Sequence, residues 1–206
     1  MKRCLWRAAP MLMLLAVLGG CASLPRAPEP DSAGGEAGLS ERESALFERA
    51  HFRLEGRIAV SDGRDGGSGR FEWEQRGSSF TLSFFAPVTQ SNWRLESRPG
   101  QAVLVESNGA IRVADSAQEL LARELRWQVP VEALAYWLRG MRAPGGVAEP
   151  WFDPAGRLSG LEQFGWRVEY RGYDAAQSPP LPNKLFARSG EQQVRMSVRR
   201  WIWLEG

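Results

Sequence analysis

The sequence has few of the residues from which reactive sites are built. It contains two cysteines and one histidine in 206 residues. Cys4 lies in an N-terminal segment with the layout of a secretory signal, so no disulfide can form within the mature chain. His51 has no cysteine or second histidine near it, which argues against a metal site and against serine–histidine catalysis. With no phosphate-binding glycine loop either, we expect no cofactor, no metal and no catalytic residue.

The sequence also lacks a block of charge of one sign. It has 26 Lys and Arg against 24 Asp and Glu, and three of the basic residues are Lys2, Arg3 and Arg7 of the signal. Without those three, the mature chain has 23 basic and 24 acidic side chains. Nucleic-acid binding needs a clustered basic face, so we expect no nucleic-acid partner. The remaining length, about 185 residues, suffices for one domain with a sizeable apolar core.

No apolar run is long enough to span a membrane. The run from Ala8 to Val17 falls short of the roughly 20 residues that a spanning helix needs. It is followed by Leu18-Gly19-Gly20-Cys21, which resembles a lipobox, so residues 1–20 are predicted to be a lipoprotein signal peptide. In lipoproteins of this pattern the cysteine receives a diacylglycerol and becomes an acylated first residue. Cys21 is therefore the predicted lipid-attachment site, and the alternative is an ordinary secretory signal with a chance cysteine.

Residues 21–38 have the composition of a flexible tether. Prolines and glycines stand among small and charged residues, with little to bury, and a segment of this length reaches roughly 20 to 25 Å. Ser40-Glu41-Arg42-Glu43 has the spacing of a capping box and predicts a short helix to about Ala50. The globular domain is predicted to occupy residues 39–206.

Most of this domain alternates in the manner of β-strands. Phe52, Leu54, Ile58 and Val60 share one strand face, and short turn signals such as Pro99-Gly100 and Asn108-Gly109 make successive strands antiparallel neighbours. Two short helices interrupt this meander, one beginning near Ser116 and one ending before Gly140. The predicted class is mainly β, of the α+β type.

Six short motifs follow one another along the chain: Gly56-Arg57-Ile58-Ala59-Val60, Phe71-x-Trp73, Ala86-Pro87-Val88, Trp137-Leu138-x-Gly140, Gly172-Tyr173-Asp174 and Trp201-Ile202. In their order and spacing they resemble the motifs of the outer-membrane lipoprotein receptor family LolB. The resemblance covers nearly everything after the tether. It implies an antiparallel, incomplete (half-open) β-barrel of about eleven strands, with short helices as a lid over an apolar cavity.

The resemblance also implies a function. Such a receptor accepts lipoproteins from the periplasmic chaperone LolA and inserts them into the outer membrane, to whose periplasmic face it is lipid-anchored, and we expect it to act as a monomer. Exposing one acyl chain of roughly 14 methylenes to water costs on the order of 11 kcal/mol, so cargo must pass between apolar cavities. The residues predicted to form the cargo cavity and its lid are Phe71, Trp73, Phe84, Trp93, Leu120, Leu121, Leu134, Trp137, Leu138 and Trp166.

One loop of the family is implied to act on the membrane. The matching loop presents an exposed leucine that is needed to insert cargo, and not to receive it. Here the loop contains Pro87 and Val88, followed by Thr89-Gln90. We predict that Pro87 and Val88 form a membrane-insertion loop, and the alternative is that Val88 folds back onto the sheet.

Two other functions remain open from the sequence. In the first, the protein is a structural or assembly lipoprotein whose cavity residues are simply core, since aromatic residues dominate cores generally. In the second, it is an envelope hydrolase that works through carboxylates. Glu72 and Glu74 are the obvious candidates, but strand alternation places them on the outer face, where a solvated role is expected.

Overall fold

The computed structural model describes residues 32–87 and 91–205, without the side chains of residues 32 and 33. The signal segment, Cys21, most of the predicted tether and Val88 lie outside the described residues. Within them, eleven strands and three helices follow one another along the chain. The strands are β1 (His51–Ser61), β2 (Gly66–Arg76), β3 (Ser79–Ala86), β4 (Ser91–Arg98), β5 (Gln101–Glu106), β6 (Ile111–Ala114), β7 (Ala148–Phe152), β8 (Leu158–Gln163), β9 (Trp166–Asp174), β10 (Leu181–Ser189) and β11 (Gln192–Trp203).

All eleven strands belong to one antiparallel sheet. Their order is β6-β5-β4-β3-β2-β1-β11-β10-β9-β8-β7, so each strand lies beside its neighbour in sequence except where β1 pairs with β11. In the described part of the chain no pairing joins β6 to β7, and the barrel is left open between them. The predicted antiparallel, incomplete barrel of about eleven strands is confirmed.

The pairing of β1 with β11 joins the two halves of the meander. Ile58 lies opposite Met196 and Val60 opposite Val194, so the two strands share a buried apolar face. The register shifts between Glu55 and Gly56. A side chain at Gly56 would begin 2.1 Å from the carbonyl oxygen of Ser197, closer than any real contact, so only glycine fits there.

The first helix, α1 (Ser32–Phe47), is longer than the sequence predicted. Residues 32–38, which composition assigned to the flexible tether, are helical, and the helix ends three residues before Ala50. Leu39 and Leu46 are buried on one side of α1 and fasten it to the domain. The composition predicted the wrong start for this helix, because the glycines at positions 34, 35 and 38 are poor helix formers. Tertiary contacts can outweigh the free-energy cost of placing glycine in a helix.

Two further helices, α2 (Ala117–Leu125) and α3 (Val131–Trp137), lie between β6 and β7 in sequence, as predicted. The hydroxyl of Ser116 accepts a hydrogen bond from the backbone N–H of Glu119 at 3.2 Å, which caps α2 as its sequence indicates. Gly140 adopts a φ of 70° just after α3, a left-handed conformation that favours glycine and ends the helix. None of the helices that the structure describes is long and apolar enough to cross a bilayer.

Candidate functional site

The helices α2 and α3 form a lid over the inner face of the curved sheet. The five residues predicted to lie on this lid are all buried, with at most 2% of their surface exposed. They share a single core with the five aromatic residues predicted on the sheet. The lid residues are Leu120, Leu121, Leu134, Trp137 and Leu138, and the sheet residues are Phe71, Trp73, Phe84, Trp93 and Trp166.

The aromatic side chains of this core fall into separate groups. Phe84 and Trp93 stack with ring centroids 5.0 Å apart, and the ring of Trp127 meets both edge-on at 5.5 and 5.6 Å. Elsewhere, Trp137 of the lid lies 6.5 Å from Trp166 of β9. Offset and edge-to-face pairs of this kind add about 0.5–1.5 kcal/mol beyond burial. The lid is therefore held at two places, one near each open edge of the sheet.

A cavity of about 550 Å³, which we call the mouth cavity, opens beside Phe84, Trp93 and Trp127 at the end of the barrel. Its apolar lining includes Phe84 and Trp93, two of the predicted cavity residues. The other predicted residues lie deeper, where lid side chains pack directly against the sheet. The remaining apolar residues at this mouth are Val60, Ala86, Leu125 and Trp127.

Sequence reasoning did not identify Gln163, which locks the lid to β8. Its side chain is 2% exposed, and its Oε1 accepts hydrogen bonds from Trp137 Nε1 at 3.0 Å and from the backbone N–H of Ala143 at 2.9 Å. Its Nε2 donates to the carbonyls of Ala143 at 2.7 Å and Gly146 at 3.2 Å. Strand alternation places Gln163 on the inner face with Leu161, and a polar residue at that position was the available signal.

Replacing Gln163 by leucine is expected to lower the free energy of unfolding by about 3 kcal/mol. The substitution leaves the N–H groups of Trp137 and Ala143 buried without acceptors, at about 1–3 kcal/mol each. The urea midpoint, measured by circular dichroism, should fall by about 1–2 M. Gln101→Leu is the control, because Gln101 is exposed at the first position of β5. Equal midpoints for the two variants would contradict a locking role for Gln163.

Three arginines clamp α1 to the C-terminal end of the lid. Arg42 donates to the carbonyls of Arg139 and Gly140 at 2.6 and 3.2 Å, and Arg139 donates to the carbonyl of Leu46 at 3.1 Å. Arg142 donates to Glu43 at 2.6 Å and also contacts Glu36. The helix α1 is thus joined to the residues that follow α3 at the end of the lid.

Burial governs the electrostatics of this clamp. Desolvation lowers the pKa of Arg42 and of Arg139, while the hydrogen bonds that Arg142 donates to the carboxylate of Glu43 raise the pKa of Arg142. Burial also raises the pKa of Tyr173 to about 12 and raises that of Tyr170. All these groups keep one protonation state near neutral pH, so the clamp does not respond to pH in the physiological range.

The acidic residues considered for hydrolysis are engaged in ion pairs. Glu74 lies 2.5 Å from Arg53 and 2.8 Å from Arg76, and the hydrogen bond from Arg53 lowers the pKa of its carboxyl. Glu72 lies 3.5 Å from the same Arg53. Both carboxylates stand on the outer face, away from the mouth cavity. Among residues 32–87 and 91–205, no three His, Cys, Asp or Glu side chains come together as a metal site would require.

The half-open barrel with its helical lid defines a fold class. A LolA superfamily protein from Nitrosomonas europaea has the same fold, with a TM-score of 0.57 over 84% of this chain and 94% of that chain. The two sequences are 9% identical, so this likeness concerns the fold alone. The fold class is therefore an open β-barrel whose apolar inner face is covered by helices.

The sequence comparisons narrow this class to one family. Residues 50–201 match the family model described as outer membrane lipoprotein LolB, and the chain belongs to that family. It is 35% identical to the outer-membrane lipoprotein LolB of Nitrosococcus oceani over 98% of both chains. It is 38% identical to the LolB of Alkalilimnicola ehrlichii, over 90% of this chain and 91% of that one. It is 34% identical to the LolB of Xanthomonas axonopodis pv. citri, over 92% of this chain and 93% of that one.

Proposed function

We propose that this protein is an outer-membrane lipoprotein receptor that shelters the acyl chains of lipoproteins and passes them into the outer membrane. The observation that carries the proposal is a barrel that stays open between β6 and β7 and whose apolar inner face is covered by two helices. A closed barrel or a packed sandwich would bury the same apolar residues permanently. Membership of the LolB family supports the same function.

Acceptance of cargo requires the lid to move. Leu120, Leu134 and Trp137 fill the space into which acyl chains would go, so the chains must replace lid contacts with their own. Both arrangements bury apolar surface at about 25 cal/mol per Å², so the exchange costs little overall. The mouth cavity, bounded by the half-buried Leu125 and Trp127 at the end of α2, is the proposed entrance.

The donor in this proposal is the periplasmic chaperone LolA. Transfer between two apolar cavities is nearly isoenergetic, and an affinity difference of about 1.4 kcal/mol gives a tenfold preference for the acceptor. No covalent chemistry is needed, so the protein acts as a carrier and not as an enzyme. We further propose that it works as a monomer, anchored by lipid on Cys21 at the periplasmic face of the outer membrane.

One observation favours the alternative of a structural lipoprotein without cargo. The inner face is packed as tightly by the lid as an ordinary core would be, with Leu120, Trp137 and Trp73 fully buried. The two functions differ in whether the lid opens for acyl chains. Binding of a triacylated peptide to the purified protein therefore distinguishes them.

Replacing Trp127 by glutamate is expected to weaken binding of the triacylated peptide at least tenfold, because the carboxylate must be desolvated where an acyl chain enters. Binding is measured by the change in tryptophan emission on titration. Trp151→Glu is the matched control, since Trp151 is also half-buried but lies against Gly160 on the outer face of the sheet. Equal affinity for the two variants, both folded by circular dichroism, would favour the structural alternative.

Residues at the mouth are better suited to this test than residues under the lid. Leu134 is 2% exposed and belongs to the core, so a glutamate there would destabilise the fold itself. A loss of binding by Leu134→Glu would then not separate cargo binding from folding. Trp127 is half-buried at the end of the lid and can be changed with less effect on the core.

A further inference from the structure

A row of basic side chains crosses the outer face of the sheet. Arg70 on β2 lies beside Arg57 on β1, Arg57 lies beside Ser197 on β11, and Ser197 lies beside Lys184 on β10. Arg195 stands in the next row, opposite Phe186. Together they line a groove of about 730 Å³, and we call the four basic residues and this groove the basic groove. Adjacent strands lie about 4.8 Å apart, so the four cations are concentrated on a small area.

The cations of the basic groove are not neutralised by carboxylates. In the part of the chain that the structure describes, Arg57, Arg70, Lys184 and Arg195 form no ion pair. Most other arginines of this face do, and they engage the acidic residues that flank the groove. Glu72 is bound by Arg53, Glu55 by Arg200, and Glu169 by Arg167 and Arg171.

The basic groove lies near the mouth end of the barrel. Pro87, the residue before Val88, forms part of its wall. The guanidinium of Arg70 lies 4.9 Å from the ring centroid of Phe85, which is 37% exposed on the same outer face. At the same end of the barrel, Val147 and Phe164 are 87% and 46% exposed. Phe85 therefore places an exposed apolar side chain beside the basic groove, and Val147 and Phe164 add two more at the same end of the barrel, next to β7 and β8.

We propose that the basic groove binds phosphate groups of anionic phospholipids and holds the mouth of the barrel against the bilayer. Clustered arginine and lysine beside exposed apolar residues is the combination by which proteins bind a membrane interface. Arginine recognises phosphate oxygens with two parallel hydrogen bonds, and Arg57 and Arg70 are adjacent. An acidic protein surface would match the charge but would leave Val147 and Phe164 unexplained.

Lipid binding by the basic groove does not require cargo and can be tested without it. Its role in directing the mouth toward the bilayer rests on the proposed receptor function. Lipid binding by the basic groove and the receptor function can fail separately, because vesicle binding is measured on the protein without cargo and acyl binding is measured without vesicles.

The test uses the mature chain with Cys21→Ala, so that no lipid anchor contributes. Co-sedimentation is measured with vesicles of phosphatidylcholine and with vesicles of equal parts phosphatidylcholine and phosphatidylglycerol. Each basic residue near an anionic surface contributes about five-fold in affinity, so Arg70→Glu or Lys184→Glu should weaken binding to the anionic vesicles about 25-fold. Arg98→Glu is the matched control, since Arg98 is exposed at the opposite end of β4.

The expected pattern is tight, salt-sensitive binding of the parent protein to anionic vesicles only, retained by Arg98→Glu and lost by the two groove variants. Triacylated peptide should bind all forms alike. The proposal is overturned if the parent binds both vesicle types equally, or if Arg70→Glu and Arg98→Glu bind alike. It is also overturned if the groove variants keep vesicle binding and lose affinity for LolA, which would assign the groove to a protein partner.

Discussion

A Cys21→Ala form of the protein is expected to disappear from the outer-membrane fraction. The predicted anchor is the lipid on this cysteine, and each methylene of an acyl chain contributes about 0.8 kcal/mol to membrane binding. One chain of roughly 14 methylenes thus accounts for on the order of 11 kcal/mol, and loss of all chains removes stable attachment. Membrane fractionation measures the result, and mass spectrometry of the N-terminal peptide reports the acyl groups.

The chain supplies its own control for this experiment. Cys4 is the only other cysteine, and it lies in the predicted signal peptide, so Cys4→Ala should stay in the outer membrane. The purified Cys21→Ala protein should fold, because the described contacts of the domain begin with α1, eleven residues after position 21. Recovery of Cys21→Ala in the outer membrane, or an unacylated N-terminal peptide in the parent protein, would contradict the lipoprotein prediction.

The second large effect is expected at Val88. Val88→Glu should leave acceptance of cargo from LolA intact and reduce insertion into liposomes by roughly 100-fold, since a charged side chain in hydrocarbon costs about 2.5–3.5 kcal/mol. Ala86 and Ser91 are paired across β3 and β4, so Val88 belongs to the short connection that joins these strands. Pro87 on that connection is exposed. Val88→Leu should insert cargo at least as well as the parent.

A reconstituted transfer assay with separate readouts for acceptance and insertion measures this effect. Val113→Glu is the matched control, because Val113 is 54% exposed on the edge strand β6 and faces solvent far from the loop. It should change neither step. Normal insertion by Val88→Glu would contradict the insertion role, as would loss of both steps in a protein that remains folded.

The two features proposed to face the membrane are expected to act at different stages of one process. The basic groove lies on the outer wall beside Pro87 and is expected to set the orientation of the barrel. Val88 is expected to enter the bilayer once the mouth faces it. Arg70→Glu should therefore reduce vesicle binding, whereas Val88→Glu should reduce insertion by protein that is already bound.

The clamp around α1 has a consequence for the lid. Arg42 and Arg142 join this helix to residues 139–142, which directly follow α3. The predicted lipid-attachment site, Cys21, precedes this helix in the sequence. Movement of the lid must therefore break these contacts or carry α1 along with it.

Local sequence patterns were sufficient to predict much of this fold. Strand alternation and short turns between Phe52 and Ala114 specify an antiparallel meander, because a turn of two to four residues can join only adjacent strands. Ser116 and Gly140 marked the start of α2 and the stop after α3 through their own backbone chemistry. These features depend on residues close together in the chain, and the sequence contains all that is needed to infer them.

The remaining features depend on residues far apart in the chain. Three contacts join partners that are 26 to 151 positions apart in the sequence: the hydrogen bond of Trp137 to Gln163, the hydrogen bond of Arg42 to Gly140, and the pairing of β1 with β11. The basic groove likewise draws its cations from four strands, so no run of charge in the sequence reveals it. By itself the sequence determined the strands, the turns and the apolar face. Only the tertiary structure decided which distant polar groups meet, because such partners are selected by geometry after the sheet has curled and not by any local preference of the chain.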